Sequence, residues 1–324
     1  MKSRKQVKIW ITILFVVLSV SGYSQTKNDA IAAYNEGVQL LKSDPEAALT
    51  ALNRCIEICT SLGEEGDDTK VMAEIQIPKL QYSIARTAMQ AKEYEAAIEK
   101  FTLAIESAEK YNDNQVKGSS LKLVPQLHYI VGNSYSKNKE FEKALENYEK
   151  AIEYNPVYTK AFLGKGLVYR ETGDLENMKT ALDKTIELGL NINDTNSVET
   201  AEQVIRITYF NKAVKAITEQ STDEAEEALK TTIEYGNNSV DAYYQLAKIY
   251  NGKSNWSDAI EMINKAIEIE AGDETVKAKL FYELATSYVG QGETDAACEA
   301  FKKAAFGAYA ENANYQIEHV LKCN

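Results

Sequence analysis

"YIVGNSYSKNKEFEKALENYEKAIEYNP" (Tyr129–Pro156) carries a glycine at 132 and a tyrosine three places later at 135. The same pair returns as Gly166 and Tyr169, 34 residues on. A fixed period of roughly 20–50 residues marks a repeat architecture, so it decides the fold before any single residue is weighed. With Gly132 counted as position 8 of a unit, that position is small throughout: Gly37, Ala85, Gly132, Gly166, Ala213, Ala247 and Ala285. Position 20 holds Ala97, Ala144, Met178, Ala225, Ala259 and Ala297, with Ala48 one place early in the first unit. Position 24 is larger and apolar: Leu52, Phe101, Tyr148, Leu182, Leu229, Ile263 and Phe301. Position 27 is small again: Cys55, Ala104, Ala151, Thr185, Thr232, Ala266 and Ala304.

Each unit thus has two apolar runs at helical spacing, separated by a short polar break such as "SKNKEF" or "NGKSNW". The pattern predicts helical hairpins. Small residues at 8 and 20 let the paired helices approach, and aromatics at position 11 (Tyr135, Tyr169, Tyr250, Tyr288) fill the space beside them. A single hairpin cannot bury both its faces, so neighbours stack into a solenoid.

At these residues the chain resembles the tetratricopeptide repeat family, most clearly in "HYIVGNSYSKNKEFEKALENYEKAIEYNP" and "YYQLAKIYNGKSNWSDAIEMINKAIEIE". The resemblance implies an all-α, right-handed superhelical solenoid of about seven hairpins over residues 28–307. A capping helix is expected over 311–323, with Tyr315, Ile317, Val320 and Leu321 as its apolar residues. Ala88 and Ala216 depart from the pattern at position 11, and some spacings exceed 34. The excess falls in "SLGEEGDDTK", "EKYNDNQVKGSS" and "NINDTNSVE", read as lengthened helix ends plus loops. An alternative reading counts true repeats only from residue 78, with the first hairpin as a cap.

Composition agrees with a folded helical chain: 44% hydrophobic, 26% charged, with only 4 prolines and 16 glycines in 324 residues. A net charge of −12 and the lack of a basic run beyond residue 8 argue against a nucleic-acid partner. The start stands apart. "MKSRKQVK" is basic, "IWITILFVVLSV" (Ile9–Val20) is apolar, and small residues Gly22 and Ser24 precede Gln25. Residues 1–24 therefore read as a signal peptide, because twelve residues of helix rise only about 18 Å against roughly 30 Å of hydrocarbon. The expected mature chain is exported, periplasmic or secreted, and not inserted in a membrane.

Candidate chemistry is sparse. The two histidines, His128 and His319, have no metal-ligand spacing to each other or to a cysteine, and no phosphate loop or nucleophile elbow occurs. "GEEGDDT" (63–69) lacks the alternating oxygen ligands of a calcium loop. No cofactor, metal or catalytic residue is expected. In an exported chain Cys298, near the start of the last hairpin's second helix, and Cys323, at the end of the cap, are expected to pair. Cys55 and Cys59 lie one turn apart on one helix and are expected to stay reduced.

The resemblance places a binding groove on the first helix of each hairpin, through positions 2, 5, 9, 12 and 13. Position 5 is Tyr34, Tyr82, Tyr129, Leu163, Phe210, Tyr244 and Tyr282, aromatic in six of seven units. Position 9 includes Arg86, Asn133 and Lys248. The expected partner-binding residues are Tyr82, Arg86, Tyr129, Asn133, Phe210, Tyr244, Lys248 and Tyr282, and the two cations favour an acidic group on the ligand. The expected function is a non-catalytic protein-interaction scaffold that holds a peptide or protein in this groove. The alternative is a structural or assembly subunit of a cell-envelope complex, using the convex face and the inserted loops.

Overall fold

The computed structural model describes residues 25–236 and 238–323. The expected leader lies outside them. Among the described residues every regular element is helical: α1 (Lys27–Leu40), α2 (Pro45–Leu62), α3 (Asp67–Gln90), α4 (Tyr94–Lys110), α5 (Asn114–Lys137), α6 (Phe141–Tyr154), α7 (Thr159–Thr172) and α8 (Leu175–Ile192). Then follow α9 (Thr195–Thr218), α10 (Thr222–Glu234), α11 (Val240–Gly252), α12 (Trp256–Ile269), α13 (Glu274–Gln291), α14 (Thr294–Ala304) and a short α15 (Ala310–Tyr315). The first fourteen form seven consecutive hairpins, α1/α2 through α13/α14. All four template columns are buried, positions 8, 20, 24 and 27 alike in every unit.

The chain divides into two compact units, one up to Ser120 and one from Leu121. In the first, α1 packs on α2, α2 on α3 and α3 on α4. Its core is built by Ala33, Leu52, Cys55, Ile58, Cys59, Ala73 and Ile77. In the second, the helices from α6 onward pack each on the next through to α14 and α15.

The long spacings are absorbed as helix. α3, α5 and α9 are each 24 residues, against 13 for α11 and 14 for α7. The acidic stretch at 63–66 is a single 3-10 turn. Pro78 and Pro125 stand at position 1 of their units, the usual first-turn site for proline, yet both helices run on upstream of them.

The turn joining the two helices of a hairpin is the same in six units. Position 15 is left-handed at Lys92, Lys139, Gly173, Gln220, Ser254 and Gly292, with φ from 59° to 86°. The first unit, one residue shorter there, has extended Asp44 instead (φ −149°), whose side chain accepts from Ala47 N. Two glycines have a clear packing reason. A Cβ at Gly132 would lie 2.7 Å from Tyr148 Cε1, and one at Gly164 would lie 2.7 Å from Tyr148 Cζ. The Tyr148 ring therefore fits between two helices only because both lack a side chain at that point.

The cap differs from the expected single helix over 311–323. α15 ends at Tyr315, and Gln316–Val320 form a π-helical turn. The wider turn, followed by left-handed Lys322 (φ 52°), lets Cys323 N donate to Ile317 O at 2.9 Å. Tyr315 and Val320 are exposed, while Ala313, Ile317 and Leu321 cover the core around Phe301 and Ala304.

His128, at position 4, is buried, its ring stacked on Tyr154 with Nδ1 3.1 Å from Asn147 Oδ1. Burial holds its pKa below the usual imidazole value, helped by Lys150 and opposed by Asn147, Glu153 and Glu146. The unfolded chain therefore takes up this proton first as pH falls. The stability His128 contributes is complete above about pH 6.5 and drains away below it. The urea-midpoint gap between the wild type and His128→Gln should accordingly narrow from pH 8 to pH 5.5. A constant gap would contradict the assignment.

Candidate functional site

The first helices carry the expected binding positions, and these divide by role. The position-5 side chains are all half-buried. In three units the ring sits against the buried aromatic at position 24 of its own hairpin. Tyr82 meets Phe101 with centroids 5.5 Å apart, Tyr129 meets Tyr148 at 6.0 Å, and Tyr282 meets Phe301 at 5.3 Å. A further ring from the following segment closes two of these sets, Tyr158 on Tyr129 at 5.9 Å and Tyr309 on Tyr282 at 5.4 Å. These tyrosines therefore hold the hairpins together, and only part of each faces outward. Asn133 is likewise committed, its side-chain oxygen accepting from Tyr148 Oη at 2.7 Å.

Tyr82 and Arg86 belong to the first unit, with Arg86 exposed. The other expected residues lie in the second. There the structure gathers Tyr244, Lys248 and Tyr282 with two residues the sequence reading did not choose, Lys279 and Tyr309. Lys248 Nζ lies 5.6 Å and Lys279 Nζ 5.3 Å from the centre of the Tyr244 ring, both at cation–π distance. Burial and the neighbouring Tyr309 phenol push the Tyr244 hydroxyl well above the usual phenol range. Lys279 is also paired with Asp241 at 3.1 Å. On the same two helices, Asn251 Nδ2 donates to Glu283 Oε1 at 2.7 Å and Ser287 Oγ donates to Asn251 Oδ1 at 2.9 Å. That partly buried network ties α11 to α13, the helices that carry the two lysines.

Phe210 is the half-buried member of an apolar stripe on α9. Ile207, Val214 and Ile217, at positions 2, 9 and 12, are exposed on the same face. Tyr309 could not be found from the period because it follows the last unit. Its signal is its likeness to Tyr158, which caps an earlier position-5 ring in the same way.

This arrangement offers rings, alkyl groups and ammonium groups on successive first helices. Among the described residues no group of three or more His, Cys, Asp or Glu is placed to hold a metal ion. No described helix is long and apolar enough to cross a membrane.

Residues 125–158 match one tetratricopeptide repeat family model, and residues 159–188, 240–273 and 278–305 match a second. These four segments are tetratricopeptide repeats. Among solved structures the chain is similar to MamA (22% identity, 60% of this chain and 95% of that one, TM-score 0.32). It is also similar to YrrB, described as a TPR protein with an unusual peptide-binding site (19%, 60% and 88%, TM-score 0.31). A tetratricopeptide repeat protein from Parabacteroides merdae aligns over 92% of this chain and all of its own length, at 18% identity and TM-score 0.30. No curated protein sequence matches significantly.

Proposed function

We propose that this protein is an exported, non-catalytic scaffold that captures a polypeptide on the surface formed by its first helices. One observation carries the reading. Packing consumes positions 8, 20, 24 and 27 in every unit, whereas positions 2, 9 and 12 of α9 and position 9 of α11 present Ile207, Val214, Ile217 and Lys248, which the core does not use. Solvent-facing alkyl groups on such a face are a cost unless a partner covers them.

A second reading has its own observation. Val71, Met72 and Ile75, in the upstream part of α3, and Leu190 and Ile192, at the end of α8, are exposed within the off-period segments. These favour assembly contacts through the inserts.

Paired variants decide between the two. Capture of the native partner by Val214→Glu/Lys248→Glu should fall at least tenfold, while Leu190→Glu/Ile192→Glu captures normally and both melt like the wild type. The tyrosines are unsuitable for this test, since their removal also costs ring packing. The reverse pattern, capture lost only in the Leu190/Ile192 variant, would transfer the function to the inserts.

A further inference from the structure

We infer that the exposed stripe of α9 receives an amphipathic helix of a partner polypeptide, with an acidic side chain of that helix taken by Lys248. The inference rests on the first-helix surface being the capture surface, and it names the occupant. Ile207, Phe210, Val214 and Ile217 are spaced i, i+3, i+7 and i+10, the alternation that one helix presents to another along a packed seam. Ile207 is 50% exposed, Val214 44% and Ile217 37%.

The opposite side of α9 is already spent, with Val204, Ile205, Ala213 and Ala216 buried. A helix apolar around its circumference is one with neighbours around its circumference, and among the described residues only one side of α9 has them. The stripe spans eleven residues, about 15 Å of helix from end to end, which suits two to three turns of a partner helix. It also lies in residues 189–239, a stretch between matched repeat segments.

Charge selects the partner further. Ile217, at the end of the stripe, lines a cleft of about 420 Å³ together with Lys248, Gln245, Thr222 and Lys253. Lys253 is already engaged, 2.5 Å from Asp223 and 2.7 Å from Glu226. Lys248 has no carboxylate within 4.0 Å among the described residues, and its Nζ lies 5.6 Å from the centre of the Tyr244 ring. In a chain of net charge −12, an ammonium group left in this way at the end of an apolar seam fits a carboxylate that arrives with the ligand. A partner helix with leucine or isoleucine at the same spacing and Glu or Asp at one end satisfies both features.

The test uses the purified protein and a fluorescent 18-residue helical peptide with leucines at i, i+3, i+7 and i+10 and two glutamates at one end. A twin peptide carries lysines in place of the glutamates. Anisotropy at low salt should show the glutamate peptide binding roughly three- to fivefold tighter than its twin, the range of an exposed ion pair. Lys248→Glu should invert that preference, and Val214→Glu should weaken both peptides more than tenfold without changing the melting temperature. Equal affinity for the two peptides, no binding of either, or indifference to Val214→Glu would each overturn the inference. So would a dimer in sedimentation that Val214→Glu dissolves, since the stripe would then belong to a second copy. If the native partner is captured through Val214 and Lys248 while neither peptide binds, the helix inference fails and the scaffold reading stands.

Discussion

Reducing the Cys298–Cys323 bond is expected to destabilise the C-terminal end of the second unit by roughly 3.5 kcal/mol, the loop-closure value for a bridge between residues 25 apart. The bond joins α14 to the end of the cap, with Cα atoms 5.8 Å apart, and holds Ile317 and Leu321 over the Phe301 core. Because each hairpin leans only on its neighbours, the loss should stay local. Amides of α14 and α15 should exchange about two orders of magnitude faster after reduction, while those of α1 and α2 keep their rates. Cys55 and Cys59 are buried free thiols with sulfurs 3.9 Å apart, and burial raises the Cys55 pKa to about 12, so the Cys55 thiol is not poised to react. Thiol counting in denaturant without reductant should give two. Four would remove the bridge, and exchange unchanged by reduction would remove its role in holding the cap.

Gly132→Leu is the second large effect, a loss of about 1–3 kcal/mol through overpacking. The added side chain enters the space of the Tyr148 ring, which Gly164 bounds on its other side. Tyr148 is 2% exposed and cannot swing to solvent without emptying the core around Ala144, Ala151 and Ala161. Combined with Tyr148→Ala, the Gly132→Leu penalty should shrink, because the two changes act on one space. Urea midpoints of the two single variants and the double variant measure this. A Gly132→Leu protein as stable as the wild type would contradict the register from which the whole repeat is read.

That register was legible because small residues at fixed spacing have few other causes. Gly132 and Gly166 are small for the sake of Tyr148 and Leu182, and the period repeats the requirement. The hairpin turn was less legible. Only Gly173 and Gly292 announce the left-handed residue at position 15, whereas Lys92, Lys139, Gln220 and Ser254 adopt it against their own preference, held there by the helices on either side. The excess spacing was legible as lengthened helix ends plus loops, and the fold places the lengthening of α3 and α5 upstream of Pro78 and Pro125, residues that favour a helix's first turn.

In the candidate site, the position-5 row was visible but its role was not. Sequence shows a tyrosine at 129, and only the fold shows it clamped between Tyr148 and Tyr158. The α9 stripe was in plain view at positions 2, 5, 9 and 12. It becomes informative once the other side of the same helix is known to be buried.

The central claim is that the first-helix surface is where a partner is held. Photocrosslinking tests it most directly, with benzoylphenylalanine placed singly at Val214 on that surface and at Leu190 outside it, both exposed. In the native extract Val214 should crosslink to one discrete polypeptide, and Leu190 should give no crosslink to it. A partner joined through Leu190 and absent from Val214 would contradict the account.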